Sequence, residues 1–135
     1  MTPDQKHCIK EAHLALPEGF GAKPASESAL CAFEKKFGPI PADYRWYLAE
    51  CGGGVVRSET LDDIKELTKS HRKFEREAAM DGGWKKRDGF LIGWDGSGNP
   101  ISMDTATGQI MVEDHDFGGV HVLAASFADF CLGTK

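Results

Sequence analysis

The spacing of hydrophobic residues changes from a helical period to a strand period along the chain. Residues 26–80 carry apolar side chains mainly three and four positions apart, which is the period of a helix with one buried face. Residues 89–124 instead alternate apolar and polar side chains in short runs separated by glycine-rich turns. Helices followed by a run of strands are typical of an α+β fold. We therefore predict an antiparallel meander sheet flanked by helices in a single compact domain.

The predicted helices have recognisable first and last residues. Ser26 is placed to cap a helix with an apolar face, and Gly38 ends that helix. Pro41 opens the next helix, and three consecutive glycines stop it. Thr60 and the acidic residue three positions later have capping-box spacing. This spacing predicts a charged helix from Thr60 toward Ala79.

Residues 1–25 are predicted to stand apart from the main body of the chain. A short helix fits residues 9–16, and the segment after it is rich in glycine and proline. We therefore predict an N-terminal helix and linker over residues 1–25 and the main domain over residues 26–135.

Four short strands are predicted in the second half of the chain, each followed by a turn sequence. They cover residues 90–94, 100–104, 109–114 and 120–124. The two valines after the triple glycine predict a further extended segment. Ser126 then caps the last helix, where Phe127 and Phe130 lie three positions apart on one face and are expected to be buried.

Composition and charge narrow the class of protein. The chain has 135 residues, of which 41% are hydrophobic, so it has enough apolar surface to bury a core. Its 16 basic and 21 acidic side chains leave a net charge of −5. This charge argues against direct nucleic-acid binding and favours a basic partner. The short basic run at residues 85–87, and His71 on the charged helix, are expected to be solvated.

The cysteine pattern and two absent signals predict the compartment. The first residues lack the basic start and apolar run of a signal peptide. No stretch approaches the ~18 consecutive apolar residues of a membrane span. The four cysteines are widely spaced without a Cys-x-x-Cys pair, so we expect buried free thiols in a reducing compartment. The sequence therefore predicts a cytoplasmic protein without membrane contact.

Two glycine-rich segments resemble ligand sites, but structural roles fit them better. Asp95, Ser97 and Asn99 have the spacing of calcium ligands, yet Pro100 and Ala106 stand where an EF-hand loop needs glycine and glutamate. We interpret this segment as a turn between strands. The triple glycine follows a helix and lacks the Gly-Lys-Ser/Thr of a phosphate-binding loop. With no nucleophile motif either, we expect no catalytic residue, no metal and no cofactor.

The densest group of ionisable residues lies near the last two strands. Glu113, Asp114 and Asp116 surround His115, and Asp104 ends the strand before them. Three interpretations are open: a solvated strand end, an acidic rim that binds a partner, and a metal or acid–base site. Adjacent strand residues point to opposite faces, so the third would need a further group from elsewhere in the chain. We take the four acidic residues as the candidate partner-binding set.

Two longer blocks of the sequence resemble a known family. The first is FEKKFGPIPADYRWYLAECGGG, where a helix is followed by an Ile-Pro-x-x-Tyr helix start and a glycine stop. The second is FLIGWDGSGNPISMDTATGQIMVEDHDFGGVHVLAASFADFCLG, where strands and glycine turns lead to a Ser-Phe-x-x-Phe helix. In this order and spacing the blocks resemble the SUKH superfamily. The matching positions are Pro41, Tyr44, Gly53, Trp94, Asp95, Gly98, Phe127 and Phe130.

The resemblance implies a function in protein–protein contact. It implies structural roles for the matching residues and, in bacterial members, an immunity protein that binds and neutralises a polymorphic or contact-dependent toxin. The alternative is a regulatory or scaffold domain that acts on an endogenous partner. Because nuclease toxins present a basic groove, such a toxin would fit the acidic set of Asp104, Glu113, Asp114 and Asp116.

Overall fold

The computed structural model describes residues 1–133, which form five helices and one six-stranded sheet. The helices are α1 (Pro3–Leu14), α2 (Glu27–Phe37), α3 (Ala42–Glu50), α4 (Ile64–Ala78) and α5 (Phe127–Leu132). The strands are β1 (Gly54–Val56), β2 (Glu59–Leu61), β3 (Gly89–Trp94), β4 (Pro100–Asp104), β5 (Ile110–Glu113) and β6 (Val120–Ala124). Each strand pairs antiparallel with the next one along the chain. The predicted α+β fold with an antiparallel meander is therefore confirmed.

The core is built from aromatic residues of the helices packed against the sheet. Tyr44 and Tyr47 on α3 are both buried, and their ring centroids lie 5.6 and 5.4 Å from that of Phe127 on α5. Phe33 of α2 contacts Phe90 of β3 at 6.0 Å between centroids. Burial of these large apolar surfaces is the main favourable contribution to folding, and it fixes the helices on the sheet.

The last helix, α5, bears out part of the burial prediction. Its first turn is capped by Ser126, whose hydroxyl accepts the amide hydrogen of Asp129 at 3.1 Å. Phe127 is 1% exposed at the centre of the core. Phe130 is only partly buried and packs at the margin of the same cluster. The predicted burial is therefore complete at Phe127 and only partial at Phe130.

The start of α4 differs from the prediction. Thr60 does not open this helix but lies in β2, and the helix begins after Asp63. The Asp63 carboxylate caps the helix because it accepts the amide hydrogen of Glu66 at 2.7 Å. Leu61 is 2% exposed and pairs with β3, so its side chain belongs to the sheet.

The first helix, α1, is longer than predicted and packs on the rest of the molecule. Thr2 and Gln5 form a capping box with hydrogen bonds of 2.9 and 3.1 Å, so the helix begins at Pro3. Ile9 is 3% exposed, and α1 contacts both α5 and β1. Residues 1–25 therefore contribute side chains to the core.

The two outer edges of the sheet differ. The edge of β1 is covered by the segment after α1, where the amide of Val55 donates to the carbonyl of Phe20 at 2.9 Å. The amide of Ala22 donates to the carbonyl of Gly53 at 3.0 Å. This approach requires glycine, because a Cβ on Gly54 would lie 2.6 Å from the Phe20 carbonyl oxygen. The outer edge of β6, which we call the open edge, pairs with no strand in residues 1–133.

Two expectations about side-chain burial need correction. Cys8 and Cys31 are exposed, and only Cys51 is a fully buried thiol as the sequence suggested. His71 is partly buried rather than fully solvated, because its ring lies 4.8 Å from the ring of Phe90. Burial lowers the pKa of His71, so its neutral form is favoured.

Candidate functional site

Exposed apolar side chains concentrate on the hairpin formed by β5 and β6. Of the seven large hydrophobic side chains exposed within residues 1–133, four lie at the hairpin turn or on β6. Phe117 is 90% exposed at the turn, and Val120 and Val122 are 40% and 56% exposed along β6. Exposed apolar side chains grouped on one element make that element a candidate interaction surface. We call Phe117, Val120 and Val122 the hairpin patch.

The register of the hairpin directs backbone groups of the patch toward the open edge. Val120 and Val122 lie two residues apart on β6 and therefore share a face of the sheet. The amide of Asp114 donates to the carbonyl of Gly119 at 3.0 Å, which makes this a hydrogen-bonded pair. Hydrogen-bonded and non-hydrogen-bonded pairs alternate in an antiparallel sheet. The N–H and C=O groups of Val120 and Val122 therefore point away from β5.

The hairpin turn is shaped by Asp114. Its carboxylate accepts the amide hydrogens of Asp116 at 2.8 Å and Phe117 at 3.0 Å. Gly118 and Gly119 complete the turn with positive φ angles of 75° and 83°. The two amide hydrogen bonds favour the charged carboxylate, so the pKa of Asp114 is lowered. Asp114 therefore keeps its charge while it positions Phe117 in solvent.

Asp116 lies beside the hairpin patch, and its neighbour His115 is hydrogen-bonded to the turn between β3 and β4. Its side chain is 63% exposed and lies 3.3 Å from Nε2 of His115. The backbone amide of His115 donates to the side-chain oxygen of Asn99 at 3.0 Å, and Nδ1 of its ring contacts the same oxygen. Asn99 is 3% exposed and is itself bonded to Asp95. The turn between β3 and β4 thus holds the base of the hairpin turn.

The other two predicted acidic residues contact the loop after α4. The Glu113 carboxylate accepts the amide hydrogens of Lys85 at 2.9 Å and Lys86 at 2.8 Å. The Lys86 amine lies 3.4 Å from the Asp104 carboxylate, and only 17% of its side chain is exposed. The amide hydrogen bond from Thr107 contributes most to a lowered pKa of Asp104, and Lys86 adds to it. The expectation that the basic run is fully solvated is therefore wrong at Lys86.

The structure thus divides the predicted acidic set between two places. Asp114 and Asp116 lie at the hairpin patch, whereas Glu113 and Asp104 bind the loop over residues 84–88. The patch itself was not predicted, since alternation alone marks β6 as a half-buried strand. One signal was available in the sequence. The segment Val-His-Val-Leu-Ala has no charged residue on either face, unlike a strand with one solvated face.

The family-matching residues lie in the core and in turns. The Tyr44 hydroxyl contacts the carbonyl oxygens of Asp62 at 2.6 Å and Ile92 at 3.2 Å, which joins α3 to the sheet. The Trp94 indole N–H donates to the Ser70 hydroxyl at 3.0 Å. The others lie at the start of α3, at the covered edge, in the turn after β3 and on α5: Pro41, Gly53, Asp95, Gly98, Phe127 and Phe130. A structural role for these residues remains the prediction, and their positions in the core and in turns are compatible with it.

Two kinds of feature are absent from the described part of the chain. Among residues 1–133, no three His, Cys, Asp or Glu side chains are grouped as a metal site requires. No helix in this range has the length and apolar character needed to cross a bilayer.

Comparison with known proteins places the chain in a family. No curated protein matches the chain. The model of the SMI1 / KNR4 family (SUKH-1) matches residues 24–133. The SUKH family is associated with immunity proteins and related regulators, and its role implies protein–protein interaction. Because this match spans most of its 135 residues, the chain belongs to the SMI1 / KNR4 family (SUKH-1).

Proposed function

We propose that this chain is an immunity-type protein that binds a cognate polymorphic or contact-dependent toxin and neutralises it by direct contact. The hairpin patch carries the proposal, because Phe117, Val120 and Val122 are exposed beside the carboxylates of Asp114 and Asp116. An apolar centre with a charged rim is the usual composition of a protein–protein interface. Membership of a family associated with immunity proteins supports the same function.

The charge of this surface favours a basic partner. The whole chain carries a net charge of −5, and the lowered pKa of Asp114 keeps its carboxylate ionised at neutral pH. A nuclease toxin presents positive groups to nucleic acid, so its active groove would be attracted to this surface. In such a complex, charge speeds the encounter and a few apolar contacts hold the two proteins together.

Neutralisation by this route is occlusion and requires no catalysis by the chain. A toxin whose basic groove is covered can no longer admit its substrate. We place this action in the cytoplasm, where the exposed thiols of Cys8 and Cys31 stay reduced.

The first test measures bacterial survival. The test requires a toxin domain encoded by a gene next to that of this chain, which is induced with and without co-expression of the chain. We expect the toxin alone to reduce colony counts and the wild-type chain to restore them. Phe117→Ser should fail to protect, whereas Phe20→Ser should protect, because Phe20 is 53% exposed but lies at the covered edge. Protection by Phe117→Ser equal to that of the wild type would contradict the proposed surface.

The alternative function, a regulatory or scaffold domain with an endogenous partner, would use the same patch. Gene deletion in the host separates the two functions. An immunity gene is dispensable once the neighbouring toxin gene is also deleted, so the double mutant should grow normally. A growth or envelope defect that persists in the double mutant would favour the regulatory function.

A further inference from the structure

We propose that the open edge of β6 receives an extended, basic segment of the partner as a seventh strand of the sheet. This inference rests on the proposed function, since it specifies how the partner contacts the hairpin patch. Strand addition at a sheet edge combines main-chain hydrogen bonds with side-chain contacts on alternate residues. Both kinds of contact are available on β6.

The main-chain groups needed for pairing are accessible. The N–H and C=O groups of Val120 and Val122 point away from β5, and both side chains are exposed. Natural sheets usually protect such an edge with lysine, proline or a covering segment. The β6 sequence has neither lysine nor proline, and no strand in residues 1–133 pairs with its outer side. The covered edge of β1 shows that the same fold does protect its other border.

Charge identifies the added strand as basic. Asp114 and Asp116 stand at the end of β6 where a paired segment would begin or end, and Asp116 is 63% exposed. Lysine or arginine at alternate positions of the segment would meet these carboxylates, and the intervening apolar residues would cover the two valines. A second copy of this chain is a poorer occupant, because each copy carries a net charge of −5.

The test uses two synthetic seven-residue peptides, one alternating lysine with valine and one alternating glutamate with valine. Amide chemical shifts of the 15N-labelled full chain are followed by NMR during titration at low salt. We expect the lysine peptide to shift the amide signals of Val120 and Val122 and to bind at least about tenfold more tightly than the glutamate peptide. Equal binding of both peptides, or shifts confined to other residues, would overturn the proposal.

A matched pair of substitutions tests the role of the backbone. Val122→Pro removes the outward N–H without breaking the bonds between β5 and β6, and should weaken binding of the lysine peptide about tenfold. Val122→Thr keeps the N–H and the branched side chain, so it should bind within about twofold of the wild type. If Val122→Pro lowers the melting temperature, Val120→Pro replaces it, because that N–H also faces the open edge. Unchanged binding by the folded proline variant would overturn strand addition.

Two further outcomes are distinguished by the same samples. Shifts at Val120 and Val122 that depend on protein concentration, with a doubled mass in sedimentation, would overturn the proposal in favour of a second copy. If the lysine peptide does not bind at β6 but the wild-type chain protects cells in the survival test, the proposed function is retained and only strand addition at the open edge is rejected. If the wild-type chain binds the lysine peptide at β6 but does not protect cells from the toxin, the proposed function is rejected and strand addition at the open edge is retained.

Discussion

At the scale of single residues, two neighbouring tyrosines on α3 differ in how their hydroxyl groups are satisfied. Tyr44 and Tyr47 are 0% and 1% exposed. The Tyr44 hydroxyl has two carbonyl oxygens within hydrogen-bond distance, whereas the Tyr47 hydroxyl is buried and has no hydrogen-bond partner in residues 1–133. A buried polar group stabilises a fold only when it is hydrogen-bonded. Replacing each tyrosine with phenylalanine therefore compares a hydrogen-bonded buried hydroxyl with an unpartnered one.

We expect Tyr44→Phe to lower the free energy of unfolding by about 1–3 kcal/mol, because it leaves the Asp62 and Ile92 carbonyls without this donor. Tyr47→Phe removes a hydroxyl with no partner and should be neutral or stabilising. Urea unfolding of the three proteins followed by tryptophan fluorescence measures both effects. Equal losses in the two variants would show that the hydrogen bonds of the Tyr44 hydroxyl add no stability beyond that of an unpartnered hydroxyl.

The carboxyl group of Asp62 makes stability depend on pH. Burial raises the pKa of Asp62 from 3.8 to about 6, although the Ser70 hydroxyl partly opposes this change. Between pH 3.8 and about 6, Asp62 holds a proton in the folded chain that it releases in the unfolded chain. The stability that protonated Asp62 contributes is therefore lost as the pH rises through about 6. Asp62→Asn should therefore raise the free energy of unfolding at pH 7.5 by up to about 3 kcal/mol.

The difference between this variant and the wild type should vanish at about pH 2.5, well below 3.8, where Asp62 is protonated in both the folded and the unfolded chain. Unfolding curves at the two pH values provide the measurement, and subtraction of the wild-type curve removes the contributions of other acids. If Asp62→Asn raises the free energy of unfolding equally at both pH values, the effect comes from packing and not from proton binding.

At the scale of elements, Glu113 on β5 is one of the groups that hold the loop after α4. Its carboxylate accepts two amide hydrogens from residues that trypsin recognises, Lys85 and Lys86. Glu113→Ala should therefore increase the rate of tryptic cleavage in this loop about tenfold, because local opening becomes easier. Asp116→Ala is the control, since Asp116 does not contact this loop in residues 1–133. Mass spectrometry of timed digests locates the cuts, and an equal rate in both variants would contradict the anchoring role.

The helix α5 offers a second comparison between positions of one residue type. Phe127 is 1% exposed among the rings of α3, so Phe127→Ala should lower the free energy of unfolding by about 3–5 kcal/mol. Phe130 is only partly buried, so Phe130→Ala should have less than half of that effect. Thermal and urea unfolding can compare the two, and a larger loss at Phe130 would mean that α5 packs differently.

The elements differ in how far the sequence could predict them. Helices with a cap residue and an apolar face, such as α2 after Ser26, follow from local chemistry, and so do the strands over residues 90–124. The strand β2 could not be predicted, because its three residues are too few to show alternation and it joins β3 through the distant pair of Leu61 and Gly93. Because Thr60 lies in β2, it cannot cap α4, and Asp63 caps that helix instead.

At the scale of the whole molecule, charge and apolar surface meet at one end of the sheet. The acidic residues were recognisable in the sequence because they lie together, whereas exposure of Val120 and Val122 depends on β6 being the last strand. Strand order is a long-range property that the local pattern does not contain. Of the four acidic residues singled out in the sequence, only Asp114 and Asp116 lie at the candidate surface, and its apolar centre was not predicted.

Charge reversal at the hairpin should slow association with the cognate toxin. Asp116→Lys changes an exposed carboxylate beside the patch, so the association rate should fall severalfold at low salt and much less at high salt. Glu18→Lys makes the same change in net charge on an exposed residue near the covered edge and should have a smaller effect. Stopped-flow mixing at two ionic strengths gives the rates. Equal slowing by both variants would point to net charge rather than to this surface.

The glycines of the covered edge and the residues of the hairpin patch differ in how freely they can be replaced. A Cβ on Gly52 would lie 1.9 Å from the Lys23 carbonyl oxygen, so even alanine cannot be accommodated there without movement of the backbone. Phe117 and Val122 are 90% and 56% exposed, and substitutions at such positions usually change stability by less than about 0.5 kcal/mol. On the proposed function, mutational drift at the hairpin patch can therefore alter which partner is recognised without lowering the stability of the fold. One scaffold of this kind can diversify into a repertoire of specificities through a few codons in a single hairpin.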